Sequence, residues 1–211
     1  IFAINRRGQI IKDENTIVNY NKKIKLEDIY FTKSKLDNYQ LKKINSKKKL
    51  ENKKKYLDKK YKKKPNIDLR TKKELKQSDI LIFAPGTQFS SLFPTYLTEN
   101  FVKNIKKNSK KILILNLRND LDTIGYALSD YFNRINYFLF NKNKIQNQIY
   151  EFFDYILINK CVKKNKINFD VNIPNRYKNK LIIKNFENNK YSGIHDYNKI
   201  KKIIYKIISN E

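Results

Sequence analysis

Methionine and tryptophan are missing from this chain altogether, cysteine and histidine occur once each, and glycine and proline number four apiece. A single cysteine, Cys161, excludes an internal disulfide and suits a reducing compartment, so a cytoplasmic protein is expected. The lone histidine, His195, is too far from that cysteine in sequence for the two to suggest a zinc site. No apolar run reaches the roughly 18 to 20 residues of a membrane-spanning helix, and no signal-peptide pattern is present. Lacking methionine and opening at Ile1, the chain is expected to be a fragment of a longer protein rather than a processed one. Its 211 residues are enough for one domain with a sizeable core.

Lysine is what the chain has in excess. Lys and Arg total 47 against 20 Asp and Glu, a formal net charge of +27. Such a balance ordinarily argues for nucleic acid or an anionic membrane as partner. Here lysine far outnumbers arginine while Ile, Asn, Tyr and Phe are plentiful, the signature of an AT-rich genome. A selected nucleic-acid binder would use more of the guanidinium groups that fork onto phosphate and guanine edges. Nucleic acid and anionic lipid therefore rank below a small-molecule ligand. The densest basic stretch, Lys42 to Lys64, has only scattered apolar points at Leu50, Tyr56, Leu57 and Tyr61 and ends before Pro65. It reads as an exposed or disordered insertion covering 41–65, with an electrostatic tether to RNA or phospholipid as the alternative.

Periodicity organises the rest. Phe2 to Ile4 and Gln9 to Ile11 are expected to pair across Asn5-Arg-Arg-Gly8, with a third strand near Ile29 to Phe31, so that 1–40 flank the main fold. From 66 to 211 strands and helices alternate. A helix at Leu69–Gln77 leads into the strand Asp79–Phe83. Thr98 is placed to cap a helix bearing Phe101, Val102 and Ile105. The strand Lys111–Leu117 precedes helices at Ala127–Ile135 and Ile145–Phe153, and the strands Tyr155–Ile158 and Lys180–Phe186 follow. Ile200, Ile203, Ile204, Ile207 and Ile208 then mark an amphipathic helix capped by Asp196. This alternation predicts an α/β protein, a mostly parallel, Rossmann-like sheet with helices on both faces.

In an open parallel sheet ligands sit at the carboxyl ends of the strands. After Phe83 come Pro85, Gly86, Thr87, Ser90 and Ser91, a small hydroxyl-rich turn in which amides and hydroxyls could donate to phosphate oxygens. After Leu115 come Asn116, Arg118, Asp120, Asp122 and Thr123, combining an amide, a phosphate-pairing guanidinium and candidate carboxylate ligands for Mg²⁺. Asp122, Asp130 and His195 are secondary candidates, His195 more simply a packing or capping residue beside Asp196. The aromatics Tyr126, Tyr131, Phe132, Tyr137 and Phe138 could stack a base, but their helical spacing reads as core.

The run from Asp79 to Leu97, with its strand, Pro85-Gly86-Thr87 turn, Ser90-Ser91 and Pro94, resembles the signature of the 2-phospho-L-lactate transferase-like (CofD-like) family. Four more segments resemble it in the same order: Gly8 to Ile17, Ile114 to Leu117 with Asp122 to Asp130, Tyr155 to Asn159, and Ile194 to Ile200. The resemblance implies a Rossmann-like fold holding a nucleotide diphosphate. One branch is similar to Mg²⁺-dependent transferases that join a phospholactate or phosphoenolpyruvate unit to a deazaflavin alcohol. Another is similar to regulatory proteins that bind UDP-sugars, and its Pro-Gly turn favours that branch here. Members open on a Gly-Gly-Thr-Gly loop that this sequence lacks, and Thr87-Gln-Phe-Ser-Ser91 replaces the branch's usual Ser-Leu-Tyr-Thr-Ser. The expected partner is thus a nucleotide or nucleotide sugar, with a homodimer as the protein association considered. A basic binding module and an inactive family remnant are the competing readings.

Overall fold

Three short strands expected near the N-terminus form a sheet of their own in the computed structural model, which describes residues 1–160 and 167–209. β1 (Phe2–Asn5) lies between β2 (Ile10–Ile11) and β3 (Leu26–Tyr30), antiparallel to both. The short helix α1 (Glu14–Val18) starts on Asp13, whose carboxylate accepts the Thr16 amide and hydroxyl. Next come α2 (Asn38–Asn45), opened by an Asp37/Gln40 capping box, and α3 (Leu50–Lys60).

The lysine-rich stretch is helical rather than disordered, with most of its lysines exposed, and α2 begins before the expected boundary at 41. Ile44 and Leu57 are fully buried with Phe2, Ile4, Tyr30 and Leu36 in one apolar cluster. Two well-placed anchors are enough here because the flanking lysines need only stay in water while their stems cover apolar surface. The first sheet and the basic helices thus share a core.

The second sheet carries the α/β alternation. α4 (Leu69–Gln77) is capped by Asp68 and runs into β4 (Ile80–Phe83). A π-helical turn over Gln88–Leu92 continues directly into α5 (Phe93–Tyr96), and α6 (Phe101–Asn104) leads to β5 (Lys110–Ile114). α7 (Leu128–Leu139) and α8 (Ile149–Phe152) precede β6 (Tyr155–Asn159). β7 (Leu181–Lys184) and the long α9 (Tyr197–Ser209) complete it. The strands are all parallel in the order β4-β5-β6-β7, with Phe83 opposite Leu113, Leu113 opposite Ile156 and Ile156 opposite Leu181. Alternation decides which core each side chain enters. Leu113, Ile156 and Ile158 join the aromatic cluster of α5, α7 and α8, whereas Ile112, Ile114 and Leu157 meet Ile207 of α9 on the other face. The result is a Rossmann-like α/β sheet covered on both sides.

Several boundaries differ from the sequence reading. Thr98 does not cap α6: its amide closes the preceding turn onto Thr95 O, and Asn100, in the left-handed region at φ 61°, stands at the N-cap instead. The β5 ladder stops at Ile114, so Asn116 and Leu117 belong to the following loop. The helix expected from Ile145 is confined to α8, and β7 ends two residues before Phe186. Cys161 lies outside the described residues.

Candidate functional site

The loop leaving β4 is held to the loop leaving β5 by one side chain. Asn116 is buried, its Oδ1 accepting the Gly86 amide and its Nδ2 donating to the Gly86 carbonyl, both at 3.0 Å. The same Nδ2 also donates to Asp120 Oδ2. Beyond Gly86 the hydroxyls gather: Ser90 Oγ lies 2.7 Å from Thr87 Oγ1, which in turn lies 2.9 Å from Ser91 Oγ. The amides that the sequence reading offered to a ligand are partly spent. Gly86 N–H serves Asn116, and Phe89 N–H donates to Asp122 Oδ2 at 2.8 Å. What the loop presents outward is chiefly its hydroxyl cluster, with Ser91 exposed.

Asp122 is the site's principal acid. It is 2 % exposed, and burial pushes its pKa up to about 6, against the Phe89 hydrogen bond and helped by the neighbouring Asp120 charge. Burial raises Asp120 as well, while the Asn116 hydrogen bond and the Arg118 charge pull it back. Oδ1 of Asp122 and Oε1 of Gln88 are both buried acceptors with no partner among the described residues. Two orphaned oxygens beside a second carboxylate fit a hard cation. No cluster of three or more His, Cys, Asp or Glu suited to a metal occurs among the described residues, so phosphate oxygens would have to complete the shell, as is usual for Mg²⁺.

The raised acid gives a pH signature. Between its ordinary value of 3.8 and about 6, folded Asp122 keeps a proton that the unfolded chain releases. Stability therefore falls as pH rises across that window, by roughly 3 kcal/mol for a two-unit shift, and stays lower above it. Asp122→Asn, which keeps an acceptor for Phe89, is expected to flatten this dependence and to raise the melting temperature at pH 7.5. Denaturation curves at pH 4.5 and 7.5 check it, and an unchanged slope would assign the acid a different state.

The chain returning after β7 reaches the β5 loop at two points, Gly193 against Arg118 and His195 near the Leu115 carbonyl. The segment 187–196 after β7 folds back so that Gly193, at φ 83°, sits under the Arg118 guanidinium; a Cβ there would lie 2.1 Å from an Arg118 terminal nitrogen. Both the left-handed backbone and this contact demand glycine. Arg118 makes no hydrogen bond or ion pair among the described residues, although its charge reaches Asp120. His195 Nε2 is 3.4 Å from the Leu115 carbonyl, and burial lowers its pKa, so the ring is a neutral neighbour rather than an imidazolium. Asp196 caps α9 as expected, accepting the Lys199 amide.

Two further candidates are occupied elsewhere. Thr123 is fully buried, with its hydroxyl engaged by Tyr131 at 2.9 Å and by the Asp120 amide at 3.0 Å. Asp130 accepts the Ala127 amide and pairs with Lys25 at 2.6 Å. Both order the loop before α7. Tyr126, Tyr131, Phe132 and Phe138 are buried core, as their spacing indicated. Pro85 is half-buried beside Gly86. The Arg118–Gly193 contact is the feature sequence reasoning missed; the glycine between Ser192 and Ile194 was its only trace.

A parallel sheet with furnished strand-end loops defines the class: a Rossmann-like α/β protein with a candidate phosphate site. Residues 2–210 match the family described as 2-phospho-L-lactate transferase CofD, and the chain belongs to that family. Among solved structures it is similar to a crystal structure of a UPF0052 family member from Bacillus halodurans, with TM-score 0.63 at 14% identity. A second crystal structure of that same protein, BH3568, gives 0.62 at 16%. Each match covers 97% of this chain but only 57% and 58% of the other, so the chain spans little over half their length. At such identity the likeness concerns the fold. No curated protein matches. No helix among the described residues is long and apolar enough to cross a membrane.

Proposed function

We propose that the strand-end loops hold the phosphates of a nucleotide diphosphate or UDP-sugar, as part of a 2-phospho-L-lactate transferase-like protein that is regulatory or transfers a phospho-organic acid group. The observation that carries this reading is Arg118, a half-buried guanidinium that makes no hydrogen bond or ion pair among the described residues although its charge reaches Asp120, set beside the loops in a chain of the CofD family. Guanidinium planes take phosphate in two parallel hydrogen bonds, and a guanidinium whose N–H groups are not engaged can turn to that use. Thr87, Ser90 and Ser91 would supply hydroxyl donors, Gly86 would let the diphosphate approach the backbone, and Asn116 would keep the two loops in register. Where Mg²⁺ binds, Asp122 and Asp120 would hold it, and the ion would neutralise the diphosphate. The chain's own contribution is positioning and preorganised charge rather than covalent chemistry.

Calorimetric titration of UDP-N-acetylglucosamine and of GDP, with and without EDTA, tests the reading. Binding of one of them is expected, at least tenfold weaker in Arg118→Gln and weaker in EDTA. Heats indistinguishable from dilution for both ligands would sink it.

A further inference from the structure

A second basic feature lies away from the strand-end loops. The loop bearing Asn116 and Thr123 enters α7 at its N-terminus, and the twelve residues of α7 span about 18 Å. Beyond its C-terminal end two clefts adjoin. One, of about 530 Å³, is lined by Lys62, Lys63, Lys64, Lys103, Asn100 and Phe101 among others. The other, of about 680 Å³, shares Lys62 and Lys64 and adds Tyr61, Tyr137, Lys142 and Lys144.

Six ammonium groups thus face two joined hollows, and the acids close by answer few of them. Asp28 is buried beneath Lys142, and Asp58 lies 3.7 Å from the same nitrogen. Glu99, on the wall of the first cleft, pulls weakly on Lys64. Lys62, Lys63, Lys103 and Lys144 form no ion pair among the described residues. Lys64 donates only to neutral oxygens, Asn143 Oδ1 at 2.7 Å and Lys142 O at 3.1 Å. Burial first, and then the charges of Lys142 and Lys144, hold its pKa below the ordinary lysine value. Like charges crowded in a partly desolvated hollow focus an attractive field for an anion.

Asn100 at φ 61° and Lys144 at φ 56° are left-handed turn residues, the first at the N-cap of α6 and the second at the end of the 3-10 turn Asn141–Asn143, and they set one wall of each cleft. The donors are all lysine, compact charges whose three rotatable N–H groups suit phosphate oxygens in any plane, with no arginine fork to select a planar group.

We propose that the joined clefts are a second anion site, distinct from the strand-end loops, which binds a linear polyphosphate. Its phosphates reach from Lys63 and Lys103 past Lys64 to Lys144. The length of two hollows sharing Lys62 and Lys64 suits a chain of phosphates better than one.

Titration of sodium tripolyphosphate into the whole chain at roughly physiological salt tests this. Lys62→Gln/Lys144→Asn removes two exposed charges that form no ion pair among the described residues, and asparagine tolerates the left-handed backbone at 144. Affinity is expected to fall at least tenfold. The charge-matched control Lys72→Gln/Lys73→Gln on exposed α4 should change it less than twofold, and Gly86→Asp should leave it unaltered, which separates this site from the nucleotide reading. Equal losses in the two lysine pairs would mean diffuse attraction by a +27 chain and overturn the site. Loss in Gly86→Asp alone would move the anion to the loops. Stronger binding of a single-stranded oligonucleotide at equal phosphate concentration would overturn the ligand class.

Discussion

Lys142→Met is expected to destabilise the protein by about 3–5 kcal/mol, because it strands a buried carboxylate. Asp28 is 0 % exposed, and the Lys142 ammonium is its closest positive charge. Tyr137 and Tyr30 hydroxyls donate to its other oxygen at 2.7 and 3.2 Å, and Lys54 stands off at 3.9 Å. Burial, with Asp28 next, drives both phenols well above the usual tyrosine range, so they remain donors. Three neutral donors, these two phenols and the Ile29 amide on the oxygen that meets Lys142 at 2.8 Å from that amide, do not replace a cation. Urea denaturation of Lys142→Met, Asp28→Asn and the double variant would measure the pair. The double variant should recover much of the loss, since a neutral amide among phenols no longer lacks a counter-charge. A loss below about 1 kcal/mol for Lys142→Met alone would show that Lys54 already neutralises Asp28.

Gly86→Asp is expected to weaken nucleotide binding at least about a hundredfold in a protein that still folds. Gly86 has no left-handed φ, and a Cβ there would meet Leu92 at 3.5 Å, an ordinary contact. The glycine is thus dispensable for the local conformation, and Gly86→Ala should melt within about a degree of wild type. An aspartate adds a carboxylate where phosphate oxygens would lie, and like-charge juxtaposition costs several kcal/mol. Calorimetry and melting curves on both variants separate the two effects. Full affinity in Gly86→Asp would remove this loop from the nucleotide site.

How far the sequence could be read depended on how local the deciding interactions were. β5 and β6 announce themselves as aliphatic runs, and α9 as an isoleucine stripe, because burial on a sheet or helix imposes a short period. The burial in the basic helices was not legible because lysine density masked Ile44 and left Leu57 looking like a scattered point, while their partners Phe2 and Ile4 lie in the N-terminal strand β1. Thr98 looked like a cap by composition, but Asn100 tolerates the left-handed turn that the path into α6 requires. At the site, Gly86, Asn116 and Asp122 were legible as strand-end residues, and the fold does bring them together. The roles of Thr123 and Asp130 were not, since Tyr131 and Lys25 claim them through contacts no motif encodes. Arg118 was visible as a phosphate partner, but not its seat against Gly193, which is a product of the chain's return after β7.

The paired hydrogen bonds between Asn116 and Gly86 also have a mechanical meaning. Two loops tied by both ends of one amide cannot swing separately without breaking two bonds at once, so the ends of β4 and β5 behave as one stiff plate. The segment 187–196 meets that plate through a long histidine–carbonyl contact and a guanidinium resting on a glycine. Adjustment to a bulkier or smaller guest would then fall to the return segment, a flap working against a fixed anvil, and variants that tune ligand size should map to 187–196 rather than to the plate.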